Sequence, residues 1–176
     1  MRFDKLTNRL HEAIAEAQSL ALSLDHQFID PEHMLQALLQ QQGGAASSLL
    51  VQTGADMSQL QAALRKRLQE KAQVGNDQGD VHFGNSLVRA FNLADKAASK
   101  GGDQFISSEL VLMALAQDKS GLGDMLAKIG VKQAKLTSVV GQMRGGDKVQ
   151  SQGAEDQRQA LDKYTVDLTE LAEQGK

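Results

Sequence analysis

The chain has 176 residues, with 19 Lys and Arg against 22 Asp and Glu, a formal net charge of -3 and no cysteine. This length fits one domain or two small ones, and the weak negative charge gives no electrostatic basis for binding nucleic acid or an anionic membrane. Without cysteine the chain forms neither disulfides nor thiolate zinc sites. No stretch approaches the ~20 apolar residues of a membrane-spanning helix, and no export signal opens the chain, so we expect a cytoplasmic protein.

The composition and the spacing of apolar residues predict an all-α fold. Aromatic residues make up only 3% of the chain, and its hydrophobic residues are mainly Ala, Leu, Val and Met, most of which favour helices over strands. Apolar residues recur every three or four positions from Leu6 to Leu24, which predicts a first helix over about residues 4–23. A second helix is predicted from the N-cap Asp30, with Pro31 in the first helical position, to about Gln41.

An internal repeat organises the chain. Residues 27–32, QFIDPE, reappear 104 − 27 = 77 positions later as residues 104–109, QFISSE. The segments around them correspond at the same distance. In the later part of each copy the distance is one position shorter, as between Gly54 and Gly130. Each copy is predicted to contain four helices, and Gly54 and Gly130 mark the matched ends of the third helix. We therefore predict a first repeat over 1–72, a polar and Gly-rich linker over 73–84 that does not pack, and a second repeat over 85–144.

The residues after the second repeat change character twice. Residues 145–154 have the Gly-rich composition of a flexible tether. Residues 155–176 keep helical spacing of apolar residues, and such a helix must bury its apolar stripe against a partner surface to be stable. We therefore expect the chain to be a fragment that ends just inside a further domain.

No catalytic or metal-binding pattern is found in the sequence. The phosphate-binding loop of an ATPase needs a Gly-rich segment that ends in Gly-Lys-Ser or Gly-Lys-Thr, and this sequence contains neither ending. The four histidines lack the spacing of helical zinc ligands. His33, in the first turn of its helix, is expected to be solvated or partly packed. We predict no catalytic residue, no metal and no bound cofactor in this chain.

Differences between the two copies indicate candidate binding residues. Leu93 and Leu110 take the places of the polar Glu16 and His33. They either pack between the repeats or line an exposed apolar groove. Asp103 is an acid that the repeat does not require, since its counterpart is a histidine.

The doubled repeat resembles the N-terminal domain of Clp-type AAA+ chaperones. The resemblance is carried by QFIDPEH in the first copy, GDQFISSEL in the second, and the segment after them, QGAEDQRQAL with KYTVDLT. It implies a domain that is not itself an enzyme, in a parent that binds ATP, forms a homo-hexamer and disaggregates proteins together with the DnaK chaperone system. It also implies that residues 155–176 begin the first ATPase domain of that parent.

The same resemblance implies a substrate-binding site for unfolded or aggregated polypeptides. The family associates such a site with polar residues that match Thr7, Asp103 and Glu109 here, and Leu93 and Leu110 are candidates for the apolar side chains beside them. Thr7 and Glu109 also have simpler interpretations, as a helix cap and as a partner of a helix dipole. The alternative function is an adaptor-docking domain of a Clp protease ATPase. A free-standing helical enzyme is a third possibility, which the missing catalytic pattern disfavours.

Overall fold

A computed structural model describes residues 3–74 and 80–161. A 3-10 turn at Phe3–Lys5 precedes the first α-helix, and residues 154–161 are also helical. The elements between them are α1 (Asn8–Ser23), β1 (Phe28–Ile29), α2 (Pro31–Gln40), α3 (Ala46–Thr53), α4 (Met57–Gln69), β2 (His82–Phe83), α5 (Asn85–Gly101), α6 (Ser108–Ala116), α7 (Leu122–Ile129) and α8 (Gln133–Arg144). The predicted all-α class is confirmed. The remainder of the predicted helix over 155–176 lies outside the described residues.

The helices repeat with the register that the sequence predicts. Helices α5 to α8 begin at the positions that the repeat makes equivalent to the starts of α1 to α4. Helix α1 begins later than predicted, because Thr7 accepts a hydrogen bond from the Leu10 amide and is the N-cap. Asp30 is the N-cap of α2, with Pro31 in the first position as predicted. The third helix of each copy ends at a glycine with positive φ, +101° at Gly54 and +110° at Gly130.

Short parallel strand pairs join the two repeats reciprocally. β1 pairs with β2, and Ile29 lies opposite Phe83. An isolated parallel bridge joins Leu6 to Ile106, which are the counterparts of Phe83 and Ile29 in the repeat. Each repeat thus pairs the segment before its second helix with the segment before the first helix of the other repeat.

The predicted linker is therefore partly ordered. Residues 82–83 form β2, and Phe83 packs edge-on against Phe91 with ring centroids 5.7 Å apart. The many polar and glycine residues of 73–84 predicted a segment that does not pack. The apolar Phe83 within this segment nevertheless packs against the second repeat.

One continuous hydrophobic core lies between the two repeats. Helix α2 packs against α5 and α6, α3 against α8, and α4 against α7. The largest fully buried side chains come from both repeats and are Phe91, Leu6, Leu10, Met34, Leu35, Leu38, Leu49, Leu50, Leu60, Leu64, Leu87 and Ile106. Among the described residues, no helix combines the length and the apolar character needed to cross a bilayer.

Candidate polypeptide-binding site

The N-termini of α1 and α6 meet at a cluster of buried polar side chains, which we call the polar notch: Thr7, Asp103, Ser107, Ser108 and Glu109. The Thr7 amide donates to the Ile106 carbonyl over 3.0 Å, which fixes the start of α1 beside the start of α6. The carboxylates of Asp103 and Glu109 are each only 1% exposed. The structure thus brings together the three polar residues singled out from the sequence, and it buries all three.

Arg144, the last residue of α8, forms ion pairs with both acids of the polar notch. Its guanidinium donates to Asp103 Oδ2 over 2.8 Å and to Glu109 Oε1 over 3.0 Å. It also donates to Ser107 Oγ over 2.9 Å. Burial works to lower the pKa of Arg144, but the charges of Glu109 and Asp103 outweigh burial and raise it. Glu109 Oε2 has no hydrogen-bond partner among the described residues.

The segment after α8 folds back over the polar notch. We call residues 148–159 the strap. The Glu155 carboxylate accepts a hydrogen bond from Thr7 Oγ1, and its Oε2 also accepts from the Ser108 amide over 3.0 Å and the Ser108 hydroxyl over 3.1 Å. Burial and the nearby charge of Glu109 raise the pKa of Glu155. Glu155 directly follows the predicted tether over 145–154, whose C-terminal end is therefore bound and not free.

Hydrogen bonds of the strap backbone also hold the strap on the N-terminal side of Glu155. The Val149 carbonyl accepts from the Gln104 amide over 2.9 Å, and the Val149 amide donates to Asp103 Oδ1 over 2.9 Å. The Gln152 carbonyl accepts from the Asn8 amide over 2.8 Å. Val149 is the one fully buried residue of the strap.

A separate apolar groove lies between α5 and α6. This α5–α6 groove has a volume of about 240 Å³ and is lined by Leu93, Lys96, Ala97, Lys100, Leu110, Met113, Ala114 and Gln117. Leu93 is 39% exposed, whereas Leu110 is 8% exposed and also belongs to the core. The five residues selected from the sequence therefore form two sets, because Thr7, Asp103 and Glu109 do not line this groove.

The first repeat explains Glu109 without a ligand. Its counterpart Glu32 is buried and lies 2.7 Å from Arg67 and 3.0 Å from Lys71. Burial works to raise the pKa of Glu32, but Lys71 and Arg67 outweigh burial and lower it. An acid at the start of the second helix, paired with a basic side chain from the fourth helix of its own repeat, is thus common to both copies.

His33, the counterpart of Leu110, is fully buried, so the prediction of a solvated or partly packed ring was wrong. Its Nε2 lies 2.7 Å from Nδ1 of His26, and its Nδ1 accepts from the Asp30 amide over 2.8 Å. Burial and the neighbouring His26 lower the pKa of His33 to about 4. The signal missed in the sequence is the pairing of two histidines at the two positions where the second copy has Asp103 and Leu110.

Within residues 3–74 and 80–161, no group of three or more His, Asp or Glu side chains is arranged to hold a metal ion. The titratable side chains of the polar notch are paired with arginine or held by hydrogen bonds. This arrangement is suited to holding a chain segment by hydrogen bonds and ion pairs.

Comparisons with known proteins agree with this architecture. The family model of the Clp repeat N-terminal domain matches residues 5–129. The chaperone protein ClpB of Pseudomonas putida is 49% identical over the whole chain, which covers 21% of that protein. The N-terminal domain of Hsp104 from Candida albicans has a TM-score of 0.77 at 17% identity, covering 86% of this chain and 99% of that one. The N-terminal domain of the caseinolytic protease associated chaperone ClpD from Arabidopsis thaliana has a TM-score of 0.57 at 22% identity, covering 79% and 94%. The chain spans about a fifth of the length of its curated ClpB relatives. It belongs to the Clp repeat N-terminal domain family.

Proposed function

We propose that this domain binds unfolded or aggregated polypeptides through the α5–α6 groove and presents them to the rest of an ATP-dependent chaperone. The observation that carries the proposal is Leu93, a large apolar side chain 39% exposed at an apolar groove. In the first repeat the corresponding position is the acid Glu16. The apolar surface is thus particular to the second copy and is not required by the repeated fold.

The groove is suited to weak and sequence-tolerant binding. Its lining includes the flexible Met113 and the small Ala114, and a methionine side chain adapts to ligands of different shape. A single shallow contact of this kind gives low affinity. Several tethered domains that engage one aggregate still retain it, because each further contact is intramolecular.

For the parent protein we propose a cytoplasmic homo-hexamer that binds ATP and, together with the DnaK chaperone system, disaggregates and helps to refold damaged proteins. The domain itself is proposed to catalyse no reaction and to bind no cofactor. An aggregate-reactivation assay with the full-length parent and the DnaK system tests this role. A parent that reactivates nothing in the presence of DnaK would refute it.

The second candidate is an adaptor-docking domain of a Clp protease ATPase. The observation in its favour is the fold shared with the N-terminal domain of the caseinolytic protease associated chaperone ClpD. An adaptor-docking domain binds a folded partner and does not discriminate in favour of unfolded chains. Comparing a native protein with its unfolded form as ligands distinguishes the two functions.

The direct test is binding of a labelled, permanently unfolded polypeptide, such as reduced and carboxymethylated α-lactalbumin, followed by fluorescence anisotropy. Full burial of a leucine contributes about 1.5–3 kcal/mol. The exposed 39% of Leu93 thus corresponds to about 0.6–1.2 kcal/mol of that range. We expect Leu93→Gln to weaken binding roughly threefold to sevenfold.

Leu22→Gln is the matched control, because Leu22 is 44% exposed on α1 and does not line the groove. It should leave the affinity unchanged. Equal affinities for the Leu93→Gln variant and the unsubstituted chain would refute the groove as the binding surface.

A further inference from the structure

The polar notch contains three hydrogen-bond donors that its counterpart in the first repeat lacks. Thr7 corresponds to Gly84, and Ser108 corresponds to Pro31. Glycine has no side-chain hydroxyl, and proline has neither a hydroxyl nor an amide hydrogen. The polar notch therefore has three additional donors, which are the Thr7 hydroxyl, the Ser108 hydroxyl and the Ser108 amide. All three donate to the Glu155 carboxylate.

The first repeat shows what fills the equivalent place when these donors are missing. A Cβ on Gly84 would lie 2.3 Å from Asp30 Oδ1, so the Asp30 side chain occupies that space. The corresponding residue in the second copy is Ser107, whose side chain has no carboxylate. The first copy has its own acid at this place, whereas the second takes one from the strap.

The strap is attached mainly through polar contacts. Val149 is its one fully buried residue. Its other contacts include backbone hydrogen bonds, the Glu155 carboxylate, an ion pair of 2.8 Å between Arg9 and the half-exposed Asp156, a hydrogen bond from Arg9 to Gln159, and the ion pair of Arg158 with Glu109. The strap follows Gly145 and Gly146, which both have positive φ. Polar contacts are readily exchanged for water or for another ligand with the same groups, because their net gain over hydration is small.

Repulsion also acts against the docked strap. The Glu155 carboxylate lies close enough to Glu109 for the two charges to interact, and Glu109 Oε2 has no partner among the described residues. When the strap leaves, Glu109 keeps Arg144 but loses Arg158, which lies 3.5 Å away. For Glu109, removal of the strap thus costs one long ion pair and relieves a like-charge contact.

We infer that the strap is an exchangeable intramolecular ligand of the polar notch, and that an incoming polypeptide reaches Thr7 and Ser108 only by replacing Glu155 with a carboxylate of its own. The ligand class is an acidic chain segment that presents backbone carbonyls to the Asn8 and Gln104 amides. This site is separate from the α5–α6 groove. The inference rests on the proposed function only for the identity of the incoming chain.

Amide hydrogen exchange of the whole 176-residue chain, followed by NMR, tests release of the strap. The reporters are the amides of Asn8 and Gln104, which bond to the strap backbone and not to Glu155. We expect Glu155→Ala to raise their exchange rates about tenfold or more, because it removes three hydrogen bonds to a charged group. Asp147→Ala, which removes an exposed acid just before the strap, should leave them unchanged, as should the Gly84 amide in every variant.

A synthetic peptide of residues 148–159, added to the chain, tests exchange directly. The tethered strap competes with the peptide at a high effective concentration. The peptide should therefore bind the Glu155→Ala variant at least about tenfold more tightly than it binds the unsubstituted chain. A peptide with Gln in place of its glutamate should bind both chains weakly, because it lacks the carboxylate.

A locked form supplies the reverse test. Asn8→Cys with Gln152→Cys joins two exposed residues whose backbones are hydrogen-bonded, in a chain that has no other cysteine.

The locked, oxidised form should not bind the peptide, and reduction should restore its behaviour. Unchanged exchange rates at Asn8 and Gln104 in Glu155→Ala, or equal peptide binding by the locked and reduced forms, would overturn the inference. Glu155→Gln repeats the test with a side chain of the same size. If Leu93→Gln leaves binding of unfolded polypeptide unchanged while the strap still exchanges, the proposed groove function fails and the strap inference stands.

Discussion

Replacing Arg144 by methionine should destabilise the domain strongly. The Arg144 side chain is 14% exposed, and it is paired with Asp103 and Glu109, whose side chains are each 1% exposed. Methionine keeps much of the side-chain volume but leaves Asp103 and Glu109 buried without that positive charge. Removing one partner of a buried ion pair costs about 3–5 kcal/mol.

We expect the lower end of that range for Arg144→Met, because Arg158 stays within 3.5 Å of Glu109. About 3 kcal/mol corresponds to a fall in melting temperature of about 6–12 °C for a chain of this size. Urea unfolding followed by circular dichroism gives the free energy, and calorimetry gives the melting temperature.

The internal repeat supplies a matched control in Arg67→Met. Arg67 is 31% exposed, and its partner Glu32 keeps Lys71 at 3.0 Å. Its replacement should cost about 1 kcal/mol, as expected for a partly exposed pair. A loss below about 1 kcal/mol for Arg144→Met, or one no larger than that of Arg67→Met, would refute this electrostatic account.

Two further predictions concern pH and packing. His33 titrates near pH 4 in the folded chain against 6.5 unfolded, so stability is fully present above pH 6.5 and falls by about 2 kcal/mol at pH 5. His33→Gln keeps an acceptor for the Asp30 amide and should remove most of this loss in urea titrations at pH 7 and pH 5, whereas His11→Gln, on the exposed side of α1, should retain it. Gly123→Ala should cost about 1–3 kcal/mol, because its Cβ would lie 2.3 Å from the Asp118 carbonyl oxygen. Gly141→Ala, where nothing lies within 4 Å, should instead be neutral or slightly stabilising, and equal effects of the two substitutions would contradict the packing argument.

The helices and their register were predictable because they depend on local signals. The apolar spacing, the N-cap at Asp30 and the glycines at positions 54 and 130 each act within a few residues of the helix they define. The equivalent position of the other copy carries a second, independent signal for each helix. Local signals of this kind remain valid whatever the tertiary contacts are.

The strap could not be predicted in this way, because its contacts join residues far apart in the chain. Glu155 binds Thr7, which lies 148 positions earlier, and Ser108, which lies 47 positions earlier. The Gly-rich composition of 145–154 indicated chain flexibility but carried no information about the donors exposed at the starts of α1 and α6. The comparison of the two copies contained a usable signal, because Thr7 and Ser108 of the polar notch correspond to Gly84 and Pro31, which lack these donors.

The two copies pair the buried glutamate at the start of the second helix with cations from different parts of the chain. In the first, Lys71 follows α4 closely and contacts both Glu32 and Asp30 at 3.0 Å. In the second, the additional cation is Arg158, which lies well beyond the end of α8 and is brought to Glu109 by the strap. A contact supplied from such a distance depends on everything between the two residues remaining docked. The contacts of Glu32 are therefore a fixed part of the core, whereas the polar notch is complete only while the strap is bound. Glu109 lies in the first turn of α6, and the same helix lines the α5–α6 groove.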